Sequence, residues 1–149
     1  MGLRFTLGRA LRLTRLCVAV GAAAAAGANA AEAFRIRLTP VPIEASIAAA
    51  TTGQGSATAQ LEGTKLTLKG SFAGLKGAAT VARLHEGAVT GVRGPAIADF
   101  TVPAAPSGSF TADVTLTAAQ ADSVRRGHVY VQIASASAPD GNLWGWLIP

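Results

Sequence analysis

The sequence predicts an all-β fold, a β-sandwich or Greek-key barrel of seven to eight short antiparallel strands with one short helix. Three observations support this prediction. Apolar and polar residues alternate over short runs, which is typical of half-buried strands. Turns rich in glycine and proline separate these runs. Charged residues make up only 14% of the chain, while Ala, Thr, Ser and Gly are abundant, and this composition favours strands over helices.

Residues 1–30 have the pattern of a secretory signal peptide. A basic region is followed by an apolar run at 16–26 and by Ala28-Asn29-Ala30, whose small residues predict cleavage after Ala30. The apolar run is shorter than the ~20 residues that cross a bilayer, so we expect no stable membrane span after cleavage. A retained N-terminal anchor is the alternative. We therefore expect residues 31–149 to form one domain, located in the periplasm or outside the cell.

Removal of this segment changes the charge of the protein. The chain has 13 basic and eight acidic residues, and four of the basic residues lie within 1–30, which leaves nine against eight and a formal charge of +1. A nearly neutral domain lacks the basic excess that nucleic-acid binding requires, so no nucleic-acid partner is predicted. The single cysteine, Cys17, also lies in this segment. The mature protein therefore depends on its core for stability, without disulfides.

The strands are expected in chain order, each from its own alternation. They are predicted at 34–39, 56–61, 65–72, 79–85, 96–100 and 109–115, and the second and third form a hairpin. The alanine-rich stretch 43–52 fits either a loop or a short helix. A glycine-rich loop is predicted from Glu86 to Pro95 and another loop at 103–108.

A short helix is predicted from Thr117 to about Arg126. Thr117 and Gln120 have the capping-box spacing, in which a hydroxyl and an amide side chain satisfy the first backbone N–H groups. Gly127 stands where a glycine ends many helices. Arg125 and Arg126 fall in the last turn, where the helix dipole favours positive charge; contact with an acidic partner is the alternative.

The final predicted hairpin occupies 127–147. Val129, Val131 and Ile133 alternate with polar or aromatic neighbours, which predicts a strand. The turn residues of the segment Pro139–Asn142 predict the chain reversal, and a second alternating run, 143–147, predicts the returning strand.

Two segments of the chain together resemble the CHRD domain family. The first extends from Gly74 to Pro95 and contains ATVARLHEG, similar to the family's ATAAHIHxG. The second extends from Leu116 to Leu147 and contains YVQI and PDGNLWGWL, similar to YVNVHT and PxGEIRGQL. The resemblance implies an immunoglobulin-like, all-β extracellular module. It says more about the fold than about chemistry.

The family pattern has histidines at the positions of residues 83, 85 and 134, a cluster that binds a metal if the fold brings it together. Here these residues are Arg83, His85 and Ala134. Arginine does not lose its proton and alanine has no donor atom, so the sequence predicts neither a metal site nor a cofactor. The alternative is a copper- or zinc-binding, oxidoreductase-like protein in which His85 is a remnant ligand.

The final strand predicts an aromatic face. Leu143, Gly145 and Leu147 match the family's core side, so Trp144 and Trp146 point the other way. An exposed aromatic patch would be an interaction surface. In the alternative, both indoles turn inward and pack against 43–50. The candidate ligand-binding residues on this face are Trp144, Trp146, Tyr130 and Gln132, joined by Arg83 and His85 if their strand lies in the same sheet.

No catalytic grouping is visible in the sequence. Glu86 and His85 are the only close acid and imidazole pair, and adjacent residues of a strand point to opposite faces. We therefore expect a non-enzymatic binding module whose partner is an extracellular or envelope protein or a glycan. The alternatives are the metal-binding protein and a self-associating structural module, a homodimer whose tryptophans form the contact.

Overall fold

Eight strands and one α-helix make up the regular structure of the part of the chain that the computed structural model describes, residues 30–41 and 44–149. The predicted signal peptide, except Ala30, lies outside the described residues. The strands are β1 Glu32–Pro40, β2 Gln54–Glu62, β3 Lys65–Ala73, β4 Ala79–Glu86, β5 Ala96–Phe100, β6 Gly108–Thr115, β7 Val129–Ser135 and β8 Ala138–Trp146, and the helix is α1 Ala118–Arg125.

All strand pairs are antiparallel, in the order β5-β4-β7-β8-β1-β2-β3-β6. Residues 32–38 of β1 pair with β2, whereas Thr39 and Pro40 pair with β8, so β1 belongs to both layers. One layer is β1-β2-β3-β6 and the other is β5-β4-β7-β8. The predicted all-β fold of eight antiparallel strands with one short helix is therefore confirmed. No helix among the described residues is long and apolar enough to cross a membrane.

The core lies between the two layers and follows from the alternation. On β1, Phe34, Ile36 and Leu38 are buried while Arg35 and Arg37 are exposed. Each fully buried apolar side chain of this kind stabilises the fold by about 1.5–3 kcal/mol. The edge strands β5 and β6 are not paired with each other, but the rings of Phe100 and Phe110 pack 5.5 Å apart between them. The sheet is thus nearly closed, and side chains close the remaining seam.

The predicted helix and its cap are present. Thr117 Oγ1 accepts a hydrogen bond from the Gln120 backbone N–H, and Gln120 Oε1 accepts one from the Thr117 N–H, at 3.2 and 2.9 Å. Gly127 follows the helix with φ +71°, a value that L side chains rarely adopt. Arg125 contacts Glu32 at 2.8 Å and Asp122 at 2.9 Å. The hydrogen bond to Glu32, followed by that to Asp122, raises the pKa of the Arg125 guanidinium.

The alanine-rich stretch contains a short 3-10 helix, Ala45–Ile47. Residues 50–52 are tied to the last hairpin through side chains: Asn142 Nδ2 donates to the Thr52 carbonyl at 2.6 Å, and Ser137 Oγ donates to the Ala50 carbonyl at 3.3 Å. These partly buried hydrogen bonds hold the connection between β1 and β2 against the β7–β8 hairpin.

The turn of the last hairpin was predicted at the wrong residues. The chain reverses at Ala136-Ser137, and Pro139–Asn142 forms a bulge inside β8. Ile133 pairs with Leu143 and Ser135 with Ala138, so 139–142 lie opposite the single residue 134. Gly141 has a positive φ of +128°, a conformation that turn residues such as glycine tolerate, although it lies in the bulge and not in a turn. The segment stays in the strand because Asn142 is buried and its side chain accepts a hydrogen bond from Ser135 Oγ.

Candidate functional site

The six candidate residues lie on three neighbouring strands of one layer, β4, β7 and β8. Cross-strand pairing arranges them in two rows: His85, Tyr130 and Trp146 form the first, and Arg83, Gln132 and Trp144 form the second. Paired residues of adjacent strands project from the same face of a sheet. Arg83 and His85 were predicted to join this face only if their strand lies in the same sheet. β4 pairs with β7, so both residues are on this face.

This face points away from the core. A Cβ added to Gly145 would meet Ile36 and Leu38 of β1, so Gly145 faces the core and its neighbours Trp144 and Trp146 face outward. Glycine is required here because β1 passes too close for any side chain. The alternative arrangement, with both indoles turned inward, is not the one that forms.

Four rings of this face pack into an aromatic cluster, which consists of His85, Tyr130, Trp144 and Trp146. The Tyr130 ring is central: it stacks on His85 at 4.9 Å with an interplanar angle of 11° and on Trp144 at 5.3 Å with 10°. It also packs at 4.5 Å against Trp146, with the rings tilted by 44°. Aromatic pairs contribute about 0.5–1.5 kcal/mol each beyond the area they bury.

The cluster is on the predicted face, but most of it is not exposed. Tyr130, Gln132 and Trp144 retain only 1%, 6% and 5% of their accessible surface, while His85 and Trp146 are half-buried. The expectation of an open aromatic patch is therefore wrong for these three residues. Two segments above the sheet cause this burial: the glycine-rich loop lies over Tyr130 and Trp144, and the bulge of β8 covers Gln132, whose Nε2 donates to the Asp140 carbonyl.

The loop 87–95 covers the cluster and is bonded to it. The Gly94 carbonyl lies 2.9 Å from His85 Nδ1 and 3.3 Å from the Tyr130 hydroxyl, and both can donate to it. Gly87 N–H donates to the His128 carbonyl at 2.8 Å, and Thr90 Oγ1 donates to the Gly127 carbonyl at 2.8 Å. These bonds tie both halves of the loop to the sheet and to the helix end.

Glycine makes this close approach feasible. A Cβ on Gly94 would collide with the Glu86 carbonyl, and one on Gly87 would collide with the Val92 carbonyl and touch the Trp146 ring. Backbone groups can therefore reach the rings at van der Waals distance only because these residues have no side chain. The glycines were visible in the sequence, but their role as a cover was not.

An opening of about 290 Å³ remains beside the loop, lined by Val41, Gly91, Arg93, Trp144 and Trp146. We call it the tryptophan groove. The Arg93 guanidinium carbon lies 4.9 Å from the centre of the Trp144 ring, a cation–π distance. Sequence reasoning missed Val41 and Arg93, which come from distant parts of the chain, and it named both tryptophans.

Apolar side chains surround the groove. Of the described residues, the large hydrophobic ones that are exposed are Val41, Val89, Val92 and Ile148. Val41 lines the groove, and Val89 and Val92 lie on the covering loop. Ile148 lies next to Gly127 and pairs with Arg35 of β1, away from the groove lining. Three of the four exposed residues are therefore in the groove or on its covering loop.

Two buried polar atoms of the aromatic cluster have no hydrogen-bond partner among the described residues, His85 Nε2 and Trp144 Nε1. If His85 Nδ1 carries the proton that bonds Gly94, Nε2 presents a lone pair. A metal site would need further ligands, and the described residues contain no group of three His, Cys, Asp or Glu side chains placed to hold an ion. Arg83 is held away from the groove by an ion pair with Asp99 at 3.1 Å.

Comparison with known proteins agrees with the sequence motifs. The family model of the CHRD domain matches residues 34–147, which extend from within β1 to just beyond β8. No curated protein and no solved structure matches the chain. The matched region includes the covering loop, the aromatic cluster and every strand after the start of β1. The chain therefore belongs to the CHRD domain family.

Proposed function

We propose that this protein is a secreted or periplasmic, non-enzymatic binding module that holds a protein or carbohydrate ligand in the tryptophan groove. The observation that carries the proposal is the half-buried Trp146 beside the floor residue Trp144, at an opening of about 290 Å³. Membership of the CHRD domain family supports a small binding-type module in general.

The groove offers the contacts that such ligands use. Indole faces stack on the apolar face of a sugar ring or pack against an apolar side chain, and Val41 adds an aliphatic wall. Ligand pockets span about 300–1,000 Å³, so this groove, at about 290 Å³, lies just below the lower limit of that range. It is large enough for one sugar ring or one side chain of a protein, with the rest of the ligand lying on the rim.

Arg93 supplies the polar contact of the groove. It is exposed, its guanidinium carbon lies over the Trp144 ring, and no carboxylate of the described residues lies within ion-pair distance of it. Its guanidinium therefore has donors available for a ligand oxygen while the plane remains on the indole. This combination of a flat apolar floor and a directed donor favours binding with a defined orientation.

The lining of the groove favours binding over catalysis. Val41, Gly91, Arg93 and the two tryptophans provide no general acid, base or nucleophile at neutral pH. His85, the nearest imidazole, is stacked on Tyr130 and bonded to Gly94 below the loop. Its position supports a structural role under the groove.

The test is a titration of protein, purified after expression of the full chain, with a panel of cell-envelope glycans and proteins, read by tryptophan emission. At least one should give a saturable change, because Trp146 borders the groove. Trp146→Ala should abolish that binding, and Lys76→Ala, an exposed residue on the loop before β4, should retain it. Binding that Trp146→Ala leaves intact would place the ligand elsewhere and reject the proposal.

Self-association is a second candidate for the same surface, favoured by the exposed Val41, Val89, Val92 and Ile148. In that case the groove of one copy would receive apolar side chains of another. Sedimentation across a dilution series distinguishes the two: a mass that rises with concentration and becomes monomeric in Trp146→Ser supports the dimer, and a constant monomer mass contradicts it.

A further inference from the structure

The outer face of the β1-β2-β3-β6 layer is separate from the tryptophan groove and has its own pattern. Strand pairing arranges its outward residues in rows across the four strands. Two adjacent rows, which we call the basic rows, are Arg35, Thr58, Lys69 and Thr111, and Arg37, Ser56, Ser71 and Ser109. Every residue in these rows is exposed, and no loop of the described chain covers them.

The basic rows hold three cations and no carboxylate. Arg35, Arg37 and Lys69 make no ion pair with a described residue, whereas Arg83 and Arg125 do. The acids of this face, Asp113 and Glu62, lie in the rows beyond, and Asp113 accepts a hydrogen bond from Thr67 at 2.7 Å.

The positive charge is therefore local. With strands ~4.8 Å apart and ~3.4 Å per residue, Arg35 and Arg37 project ~7 Å apart, and Lys69 lies ~10 Å from Arg35 across two strand spacings. The near-neutral total charge of the predicted mature chain hides this concentration, because the acidic residues lie elsewhere. Unpaired like charges at this spacing repel each other weakly in water, and a bound anion would remove that repulsion.

Two shallow hollows lie on this face. The first, of about 410 Å³, lies between Arg35 and Lys69, and both apolar residues (Ile36, Ala57 and Gly70) and hydroxyl-bearing residues (Ser56, Thr58 and Ser71) line it. A neighbouring hollow of about 450 Å³ is lined by Arg37 together with Ser56 and Ser71. Small residues on β2 and β3 create this depth. The hollows thus combine cationic edges with hydroxyl groups that can donate or accept hydrogen bonds.

We propose that the basic rows bind an acidic polysaccharide. Carboxylates that recur along a sugar chain match cations spaced ~7–10 Å apart, and the arginine fork can hold each carboxylate with two hydrogen bonds. The sugar hydroxyls match the serine and threonine hydroxyls of the hollows.

Charge and polarity favour this partner over other anionic surfaces. A lipid surface calls for several apolar residues that insert, and of the exposed large hydrophobic residues of the described chain only Ile148, which pairs with Arg35, borders the basic rows. Single-stranded nucleic acid calls for aromatic platforms, and the basic rows hold none.

The experiment measures the affinity of polygalacturonate for protein purified after expression of the full chain, at low and at physiological salt. Binding should weaken as salt rises, because exposed charges are screened. The triple variant Arg35→Gln/Arg37→Gln/Lys69→Gln should bind at least ~10-fold more weakly. The matched control, Lys65→Gln/Lys76→Gln/Arg126→Gln, removes the same charge outside the basic rows and should retain the affinity of the unchanged protein; Lys65 lies two rows away, paired with Glu62.

Circular dichroism of each variant verifies that it folds. The proposal is overturned if the triple variant binds like its control, if neutral dextran binds equally well, or if polyglutamate or vesicles of anionic lipid bind more tightly than polygalacturonate. Trp146→Ala separates this surface from the groove: it should leave polygalacturonate binding unchanged, and loss of binding in that variant alone would also overturn the proposal.

Discussion

The two outer faces of this β-sandwich arise from the same alternation of side chains, but one is buried and the other is exposed to solvent. The face of β4, β7 and β8 is covered by the loop 87–95, so that Tyr130 and Trp144 are almost fully buried on the side away from the core. The face of β1, β2, β3 and β6 is bare and polar. Alternation thus determines the side of the sheet to which a residue points, and a loop from elsewhere determines whether that side meets water.

The largest contrast between the faces should appear in stability. Tyr130→Ala removes the central ring of the aromatic cluster and leaves a cavity beneath the loop. We expect a loss of about 3–5 kcal/mol in the free energy of unfolding, by analogy with other large aromatic truncations. Thr58→Ala on the bare face should change it by less than about 0.5 kcal/mol. Urea unfolding measures the free energy of unfolding of both variants. Similar losses in the two would show that the aromatic cluster under the loop does not stabilise the fold as a buried core does.

A smaller effect is expected where the cover meets the sheet. Gly94→Ala places a methyl group against the Glu86 carbonyl, so the loop must move away from Tyr130. We expect a destabilisation of about 1–3 kcal/mol and stronger acrylamide quenching of tryptophan emission. Gly63→Asn is the control, since the β2–β3 turn has open space there and Asn tolerates its φ of +61°. Unchanged quenching in Gly94→Ala would show that the loop does not shield the indoles.

The smallest effect concerns the edge of the cover. Arg93→Ala removes the cation above Trp144 and should cost about 0.5–1 kcal/mol, the range of an exposed cation–π contact. Quenching of tryptophan emission should increase, since the guanidinium shields one face of the ring. Arg93→Lys should restore part of the shielding. If both variants match the unchanged protein, Arg93 is not bound to the indole in solution.

Most of the strands could be predicted because the sequence patterns that specify them lie within the strands and their turns. Alternation on β1 and the β2–β3 hairpin, and the capping box at Thr117, depend on residues within a few positions of one another. The turn at 136–137 was missed because the bulge at 139–142 is stabilised from a distance, through Asn142 and the Thr52 carbonyl. A turn-like sequence such as Pro139–Asn142 allows the chain to bend. Whether the bend becomes a hairpin turn or a bulge within a strand depends on contacts with distant residues, here the Thr52 carbonyl.

The same distinction explains the site. Trp144 and Trp146 were named because one strand displays them, and their cross-strand partners Tyr130 and Gln132 followed from the hairpin. Val41 and Arg93 were not named, since only the folded chain brings β1's end and the glycine-rich loop to β8. The cover over Trp144 was missed for the same reason, and with it the change from an open patch to a narrow groove.

The place of β1 between the two layers also sets an order of assembly. Thr39 pairs with Trp144 and Pro40 with Leu143, so the last two residues of β1 gain their strand partner only when β8 has joined the sheet. Pairings this distant in sequence slow the folding of β proteins. Until β8 arrives, β1 and β7 each keep an unpaired edge, which is the kind of surface through which partly folded chains aggregate. The segment that carries both tryptophans is therefore also the one that completes the sheet.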